Sequence, residues 1–270
     1  MIKRTAMILI AYSALLSASA FAELQPYNMP IGVTDISAKV FDLHMLIFWI
    51  CVAIGIVVFG VMIISMIKHR KSVGHRAAQF HESTAAEIMW TLVPFAILVG
   101  MAIPATKVLI EMEDTSAADL TVKITGYQWM WHYDYLDEDV AFYSKISTPR
   151  EQIYNAQKKG NHYLLEVDNE LVLPVGKKVR FLITSNDVLH AWWVPDLAVK
   201  KDAIPGFINE SWAKIEKPGV YRGQCAELCG RDHAFMPIVV RAVAEDKYRQ
   251  WLQEQGTAPS QTALRQIDNS

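Results

Sequence analysis

Two long apolar stretches dominate the first half of the chain. Residues 45–67 hold no charged side chain, and residues 88–106 form a second uncharged run that contains Pro94 and Pro104. A helix rises about 1.5 Å per residue, so each run is long enough to cross a bilayer, and membrane helices tolerate internal prolines. The pattern predicts a hairpin of two transmembrane helices over residues 45–67 and 88–110.

The charges that flank these runs predict their direction in the membrane. The connecting loop, residues 68–87, is basic, whereas the segment after the second run is acidic: Lys68, Arg70, Lys71 and Arg76 against Glu111, Glu113, Asp114 and Asp119. Short basic loops remain in the cytoplasm, so both ends of the hairpin are expected outside. A buried helix pair in a soluble protein is the alternative, and the length of both runs disfavours it.

A shorter apolar run stands at the start of the chain. Lys3 and Arg4 precede it, and small residues lead to Ala20-Phe21-Ala22. This order predicts an export signal over residues 1–22, followed by an outer segment over residues 23–44. An uncleaved anchor helix is the alternative, but the run is shorter than the roughly 20 residues a span needs.

The pattern changes to short alternating segments between residues 117 and 244. Strands are predicted over residues 119–135, 163–173, 178–184, 210–215, 219–223 and 237–242. Many short strands without helices between them predict an all-β sandwich or barrel after the two-helix hairpin. Residues 245–255 predict one terminal helix, and residues 256–270 a polar, flexible tail.

Composition agrees with a membrane protein that carries an outer domain. The 270 residues are 52% hydrophobic with a formal net charge of −2, and the mean hydropathy is +0.15. A net charge near zero argues against a nucleic-acid-binding protein. Of three cysteines, Cys51 lies in the first apolar run, so only Cys225 and Cys229 lie near each other, which is not a disulfide framework.

The loop that begins at Cys225 concentrates metal-binding side chains. It places two thiols, an imidazole and a thioether within twelve residues, at Cys225, Cys229, His233 and Met236. Copper prefers such soft donors, and His190, at the end of a predicted strand, is the candidate for a further imidazole. Two thiolates bridging two copper ions, with Met236 as a weak axial ligand, predict electron transfer rather than bond chemistry.

Three other interpretations of this loop remain open. Two nearby cysteines in an exported domain often form a disulfide, although a histidine and a methionine at matching spacing disfavour that here. Zinc also binds cysteine and histidine, but methionine adds nothing for zinc. A one-copper blue site would use one cysteine rather than two.

Two residues outside the loop have a structural interpretation of their own. Thr84 and Glu87 are spaced as in a helix capping box at the start of the second apolar run. In a regular strand Trp129 would share a buried face with Tyr127 and Trp131, so an exposed Trp129 requires a bend or an edge. Acidic residues near both the aromatic strand and His190 predict a surface that attracts a basic partner: Asp134, Asp137, Glu138, Asp139 and Asp187.

Together these motifs resemble subunit II of the haem-copper cytochrome c oxidases. The resemblance rests on Gly223-Gln-Cys225-Ala-Glu-Leu-Cys229-Gly-x-x-His233-x-Phe-Met236-Pro, Val188-Leu-His190-x-Trp, Gly126-Tyr-Gln-Trp129-Met-Trp131 and Trp90-Thr-Leu-Val-Pro94. It implies a cupredoxin-like domain with a binuclear copper centre, CuA. The implied copper ligands are His190, Cys225, Cys229, His233, Met236 and the backbone carbonyl of Glu227.

The resemblance also implies roles for three further groups. Trp129 would be the electron entry point from cytochrome c, the Glu227 carboxylate would bind a magnesium ion shared with subunit I, and Glu87 would stand at the entrance of a proton path. Electrons would pass to haem in subunit I, where oxygen is reduced to water with coupled proton pumping. The expected location is the bacterial plasma membrane, with the copper domain on the periplasmic side.

The sequence departs from the pattern of this family at Asn186, Trp193 and Phe207. Asn186 stands where many members have an acid, which weakens the expected electrostatic docking. The sequence given holds no Cys-x-x-Cys-His, so we expect the cytochrome c donor to be a separate protein rather than a fused domain. The alternatives are a membrane-anchored copper-delivery protein and a quinol-oxidase-branch subunit, a branch that lacks the copper site.

Overall fold

The computed structural model of the protein describes residues 28–74, 76, 79 and 81–257. The export signal predicted over residues 1–22 lies outside the described residues, as does the predicted tail from residue 258 onward.

Two long helices form the hairpin, α1 (Asp35–Lys68) and α2 (Thr84–Glu113), with a short 3-10 turn at Lys71–Val73 between them. Within the described residues both helices are long and apolar enough to cross a membrane, and most of their large apolar side chains are exposed. Near the outer end Lys39 Nζ lies 2.7 Å from Glu111 Oε2. The exposed apolar surface fits lipid or partner helices rather than water.

The two helices begin differently. Thr34 caps α1 in a reciprocal box, since its side chain accepts from Ser37 N–H at 3.0 Å and the Ser37 hydroxyl accepts from Thr34 N–H at 3.0 Å. The cap residue of α2 is Ser83, which makes no side-chain cap bond, and Thr84 is already helical. The predicted capping box of Thr84 and Glu87 is therefore wrong. Glu87 lies exposed in the first turn, where its charge interacts favourably with the helix dipole.

Ten strands form a sandwich of two five-stranded sheets, as the alternating pattern predicts. The first sheet has the order β3-β2-β1-β5-β8 and the second β4-β10-β9-β6-β7. The strands are β1 Leu120–Tyr127, β2 Met130–Tyr135, β3 Val140–Ser144, β4 Leu171–Pro174, β5 Lys178–Ser185, β6 His190–Val194, β7 Val199–Ala203, β8 Asn209–Lys214, β9 Gly219–Cys225 and β10 Pro237–Val243. A short helix α3 (Arg150–Ile153) follows β3, and α4 (Glu245–Thr257) ends the described chain.

Large side chains from both sheets fill the space between them. Trp131 and Tyr133 on β2, Phe181 on β5 and Trp192 on β6 have no exposed surface. The Phe181 and Trp192 rings lie 5.2 Å apart. Burial of several such aromatic side chains contributes about 1.5–3 kcal/mol each to folding, so the sandwich has a core of its own.

Three strand predictions differ from the structure. The strand predicted over residues 119–135 is a hairpin, with Gln128 and Trp129 in the turn and Tyr127 paired with Met130. Residues 163–170 are irregular apart from a single β-bridge at Val167, because Leu164 adopts a left-handed φ of 63° that interrupts a strand. Strands β3, β6 and β7 were not predicted; β7 is an edge strand with three charged residues, Lys200, Lys201 and Asp202, so its alternating apolar signal is weak.

Specific contacts fasten the hairpin to two edge strands of the sandwich. Trp212 Nε1 on β8 donates to the carbonyl of Glu111 at 3.1 Å, and Lys201 Nζ on β7 lies 2.9 Å from Glu113 Oε1. At the start of α1, Thr34 forms a β-bridge with Ile215. The sandwich is thus held to the outer end of both helices.

Candidate metal centre

The ends of the cysteine loop are joined by the ladder of β9 and β10. Gln224 pairs with Pro237, and the amide of Cys225 donates to the carbonyl of Met236 at 3.0 Å. The loop closes through a 3-10 turn at His233–Phe235. The first and last donors of the loop are therefore brought side by side by the sheet itself.

Strand β6 brings His190 to the same place. Trp192 pairs with Cys225 across the strands, and the amide of Ala226 donates to the carbonyl of Ala191 at 3.0 Å. This register puts His190 Nδ1 at 3.9 Å from Cys225 Sγ. A residue 35 positions earlier in the chain thereby joins the loop.

The donors form one compact group. Cys225 Sγ and Cys229 Sγ lie 3.8 Å apart as free thiols, so the disulfide interpretation does not describe this structure. His233 Nδ1 lies 3.4 Å from Cys229 Sγ, and the Glu227 carbonyl oxygen lies 3.3 Å from Cys225 Sγ. Each sulfur therefore has its own imidazole. That donor set fits copper, which favours thiolate, imidazole and thioether ligands.

Burial of the group limits its contact with water. His190 is 0% exposed, Cys225 3%, Cys229 2% and Met236 1%. Donors fixed in a closed, apolar setting resist rearrangement. A metal held there suits electron transfer better than the binding of substrate.

Two thiols this close do not ionise alike. Burial opposes ionisation of Cys225, yet hydrogen bonds with His190 and nearby backbone groups hold the pKa of Cys225 below its ordinary value. Burial, together with the charge of Cys225, raises the pKa of Cys229 to about 12. At neutral pH a metal ion must therefore displace a proton from Cys229.

Asp187 links His190 to the turn that carries Trp129. One carboxylate oxygen lies 2.9 Å from His190 Nε2, and the other accepts from the amide of Gln128 at 2.7 Å. An Nε2–H that donates to Asp187 leaves Nδ1 available for the metal. The sequence did not single out this role, because a lone aspartate three residues before a histidine has no distinctive pattern.

Glycines make room for this arrangement. A Cβ on Gly126 would lie 2.8 Å from His190 Cδ2, so only glycine fits beside the imidazole. Gly230 has a φ of +117°, and a Cβ there would lie 3.2 Å from Trp129 Cζ2. Both glycines hold ring systems against the cysteine loop.

Trp129 lies in the β1–β2 turn, and this resolves the conflict between a buried and an exposed position. The core position belongs to Trp131, whereas Trp129 is partly buried. Its Nε1–H donates to the carbonyl of Cys229 at 3.2 Å, and Gln128 Nε2 donates to the same oxygen at 2.8 Å. The Arg231 guanidinium lies 5.8 Å from the centre of the indole.

The predicted acidic surface is only partly correct. Asp137, Glu138 and Asp139 lie in the β2–β3 turn, at the opposite end of β2 from Trp129. With about 3.4 Å per residue, the six residues of β2 separate the two ends by about 20 Å. Of the predicted acids, Asp187 is the one that contacts the turn of Trp129. The sequence did not reveal this separation, because residues 119–135 were predicted as one continuous strand.

The remaining predicted site residues are well apart. The Glu227 side chain is exposed although its carbonyl faces Cys225. Glu87 lies in the first turn of α2, and the 30 residues of that helix span about 45 Å. Since the sandwich attaches to the other end of α2, Glu87 lies far from the cysteine loop.

Comparison with known proteins places the chain in a family. Residues 120–243 match the family model described as "Cytochrome C oxidase subunit II, periplasmic domain", and residues 22–108 match "Cytochrome C oxidase subunit II, transmembrane domain". The chain belongs to the cytochrome c oxidase subunit II family. It is thus a membrane protein with a periplasmic domain, from a family that functions within a haem-copper oxidase complex.

Two curated relatives carry the name of the same family. The chain is 38% identical over 241 residues to a probable cytochrome c oxidase subunit 2 of Rickettsia bellii, covering 88% of each chain. It is 40% identical over 190 residues to cytochrome c oxidase subunit 2 of Cereibacter sphaeroides, covering 66% of this chain and 63% of the relative. A solved periplasmic domain of subunit II from Bradyrhizobium japonicum is 44% identical, with a TM-score of 0.47, and the match covers 53% of this chain and 96% of that domain.

Proposed function

We propose that this chain is the electron-entry subunit of a respiratory cytochrome c oxidase. The observation that carries the proposal is the compact donor group, in which each of two buried free thiols has its own imidazole. Trp129 supports it further, because its indole donates directly to the carbonyl of Cys229. A copper-delivery protein would need donors that release the metal, and the burial of His190, Cys225 and Cys229 disfavours that alternative.

The proposed copper ligands are His190, Cys225, Cys229, His233, Met236 and the backbone carbonyl of Glu227. A copper centre held by these residues would supply one-electron transfer. Two β-strand ladders and the Asp187 carboxylate would hold the donors in place. Such support would limit changes in geometry between redox states.

Trp129 is the proposed entry point for electrons from cytochrome c. The turn between β1 and β2 leaves the indole partly exposed, while its N–H reaches the backbone of a proposed copper ligand at 3.2 Å. An electron that arrives at the ring is therefore one hydrogen bond and a short covalent path from the Cys229 sulfur. Asp187, close to this turn, contributes negative charge toward a basic donor protein.

Two carboxylates are assigned to the interface with subunit I. We assign the exposed Glu227 carboxylate to a magnesium ion shared with that subunit, because its backbone carbonyl already faces Cys225. We assign Glu87, exposed in the first turn of α2, to the entrance of a proton path. The basic charge of residues 68–87 supports a position of Glu87 on the cytoplasmic side of the membrane, which we take to be the bacterial plasma membrane.

Rapid mixing of the purified oxidase with reduced cytochrome c tests this function. Trp129→Phe keeps a ring in the turn but removes the N–H that bonds to Cys229, so we expect copper reduction to slow by about tenfold or more, a loss of over about 1.4 kcal/mol. The visible copper absorption should remain.

The matched control is Trp193→Phe. Trp193 is a partly exposed residue of β6 whose ring lies 5.3 Å from Lys200 Nζ. Copper in this variant should be reduced at the same rate as in the parent protein. An unchanged rate in Trp129→Phe would contradict the entry role, and loss of the copper absorption would show a structural role instead.

A further inference from the structure

The buried position of the donors raises the question of how copper reaches them. The side chains of His190, Cys225, Cys229 and Met236 are each at most 3% exposed. A metal ion that arrives from solvent therefore needs an opening in the protein around them. His233 is the partly exposed member of the proposed ligand side chains.

A cavity of about 300 Å³ reaches this group from one side. It is lined by Gln224, Cys225, His233 and Ala234 around the cysteine loop, and by Tyr163, Leu164 and Leu165. A water molecule occupies roughly 30 Å³ of liquid volume, so the cavity has room for a copper ion with several small ligands. Residues 163–165 are named the cover segment here.

The cover segment belongs to the long connection between β3 and β4. Its amides donate to Gly160 O at 3.3 Å, Thr148 Oγ1 at 3.2 Å and His162 O at 2.9 Å. All three acceptors lie in the same connection. None of these three amide hydrogen bonds reaches the cysteine loop or the sheets. They therefore do not fasten the cover segment to the metal-binding group.

Two features favour movement about a fixed end. Glu166, directly after the cover segment, is held by Arg222 of β9 with an N–O distance of 2.7 Å. Leu164 has a φ of 63°, a conformation that L-residues other than glycine, asparagine and aspartate rarely adopt. The cover segment is thus anchored at Glu166, and its backbone conformation at Leu164 is unfavourable.

We propose that copper(I) reaches Cys225 and His233 through this cavity, and that the cover segment is the movable wall that limits its width. The proposal rests on the copper assignment above. Loading with copper(I) needs no electron transfer: each thiol that binds releases its proton to water, and the ion keeps its charge.

Stopped-flow absorbance of copper(I) uptake by the full chain in detergent, without oxygen, tests the proposal. The probe is copper(I) itself, and the signal is copper–thiolate absorption in the near ultraviolet. Leu165→Ala widens the cavity and should speed uptake by about fivefold, whereas Leu165→Trp narrows it and should slow uptake by about fivefold. Bound copper per chain and the final spectrum should equal those of the parent.

The control is Ala156→Trp, at an exposed position of the same connection that does not line this cavity, and its uptake rate should not change. Equal rates in the parent and both Leu165 variants, or shifts of both in one direction, would overturn the proposal. If Leu165→Trp does not fold, the direction of the Leu165→Ala effect decides. Failure of the parent to bind copper would instead overturn the ligand assignment itself.

Discussion

The cysteine loop and the membrane hairpin are built on opposite principles. In the loop, buried donors are fixed by two sheet ladders, by Asp187 and by close-fitting glycines. In the hairpin, large apolar side chains along α1 and α2 are exposed, and the helices meet the sandwich at their outer ends. The difference shows that the β-sandwich is organised within this chain, whereas the exposed apolar surface of the hairpin fits lipid or partner helices.

The largest expected difference between the two regions concerns their cysteines. Cys229→Ser removes one of the two proposed thiolate ligands, so we expect copper binding to weaken by about a thousandfold or more. The sandwich should stay folded, because Trp131, Tyr133 and Trp192 form its core without copper. Copper per chain and circular dichroism measure the two effects.

The matched variant in the hairpin is Cys51→Ser, which replaces an exposed thiol of α1. It should leave the copper content unchanged. Full copper content in Cys229→Ser would contradict the donor assignment, and copper loss in Cys51→Ser would mean that the hairpin supports the site.

A pair of glycines gives a smaller contrast. Gly126→Ala puts a methyl group 2.8 Å from His190 Cδ2, and overpacking of this kind costs about 1–3 kcal/mol. We expect a lower unfolding midpoint and weaker copper binding. Denaturant unfolding and copper titration measure them.

The control is Gly100→Ala in α2, where an added Cβ meets nothing within 4 Å. There alanine should be neutral, or stabilise the helix by up to about 1 kcal/mol. Equal stability of the two variants would show that the imidazole is not held as tightly as the structure indicates.

The two regions also differ in how far they could be predicted from sequence. Length and lack of charge were enough to predict the hairpin, and soft donors clustered in one loop were enough to predict the metal group. Contacts that depend on strand register were not predictable. The acidic turn at Asp137 was predicted close to the aromatic segment that contains Trp129. The aromatic run shows no sign of the turn at Gln128, so residues 119–135 were predicted as one strand.

The role of Asp187 is a further example. Its two carboxylate oxygens connect His190 with the amide of Gln128, a residue 59 positions away. Only the pairing of β1 with β5 brings these residues together. Likewise, the left-handed Leu164 interrupts a segment whose composition is typical of a strand.

The most direct test of the central claim is electron paramagnetic resonance of the purified, copper-loaded protein. If Cys225 and Cys229 bridge two copper ions, the spectrum should show the hyperfine pattern of one electron shared equally by two copper nuclei. A pattern from a single copper nucleus, or a protein that binds one copper per chain, would contradict the account.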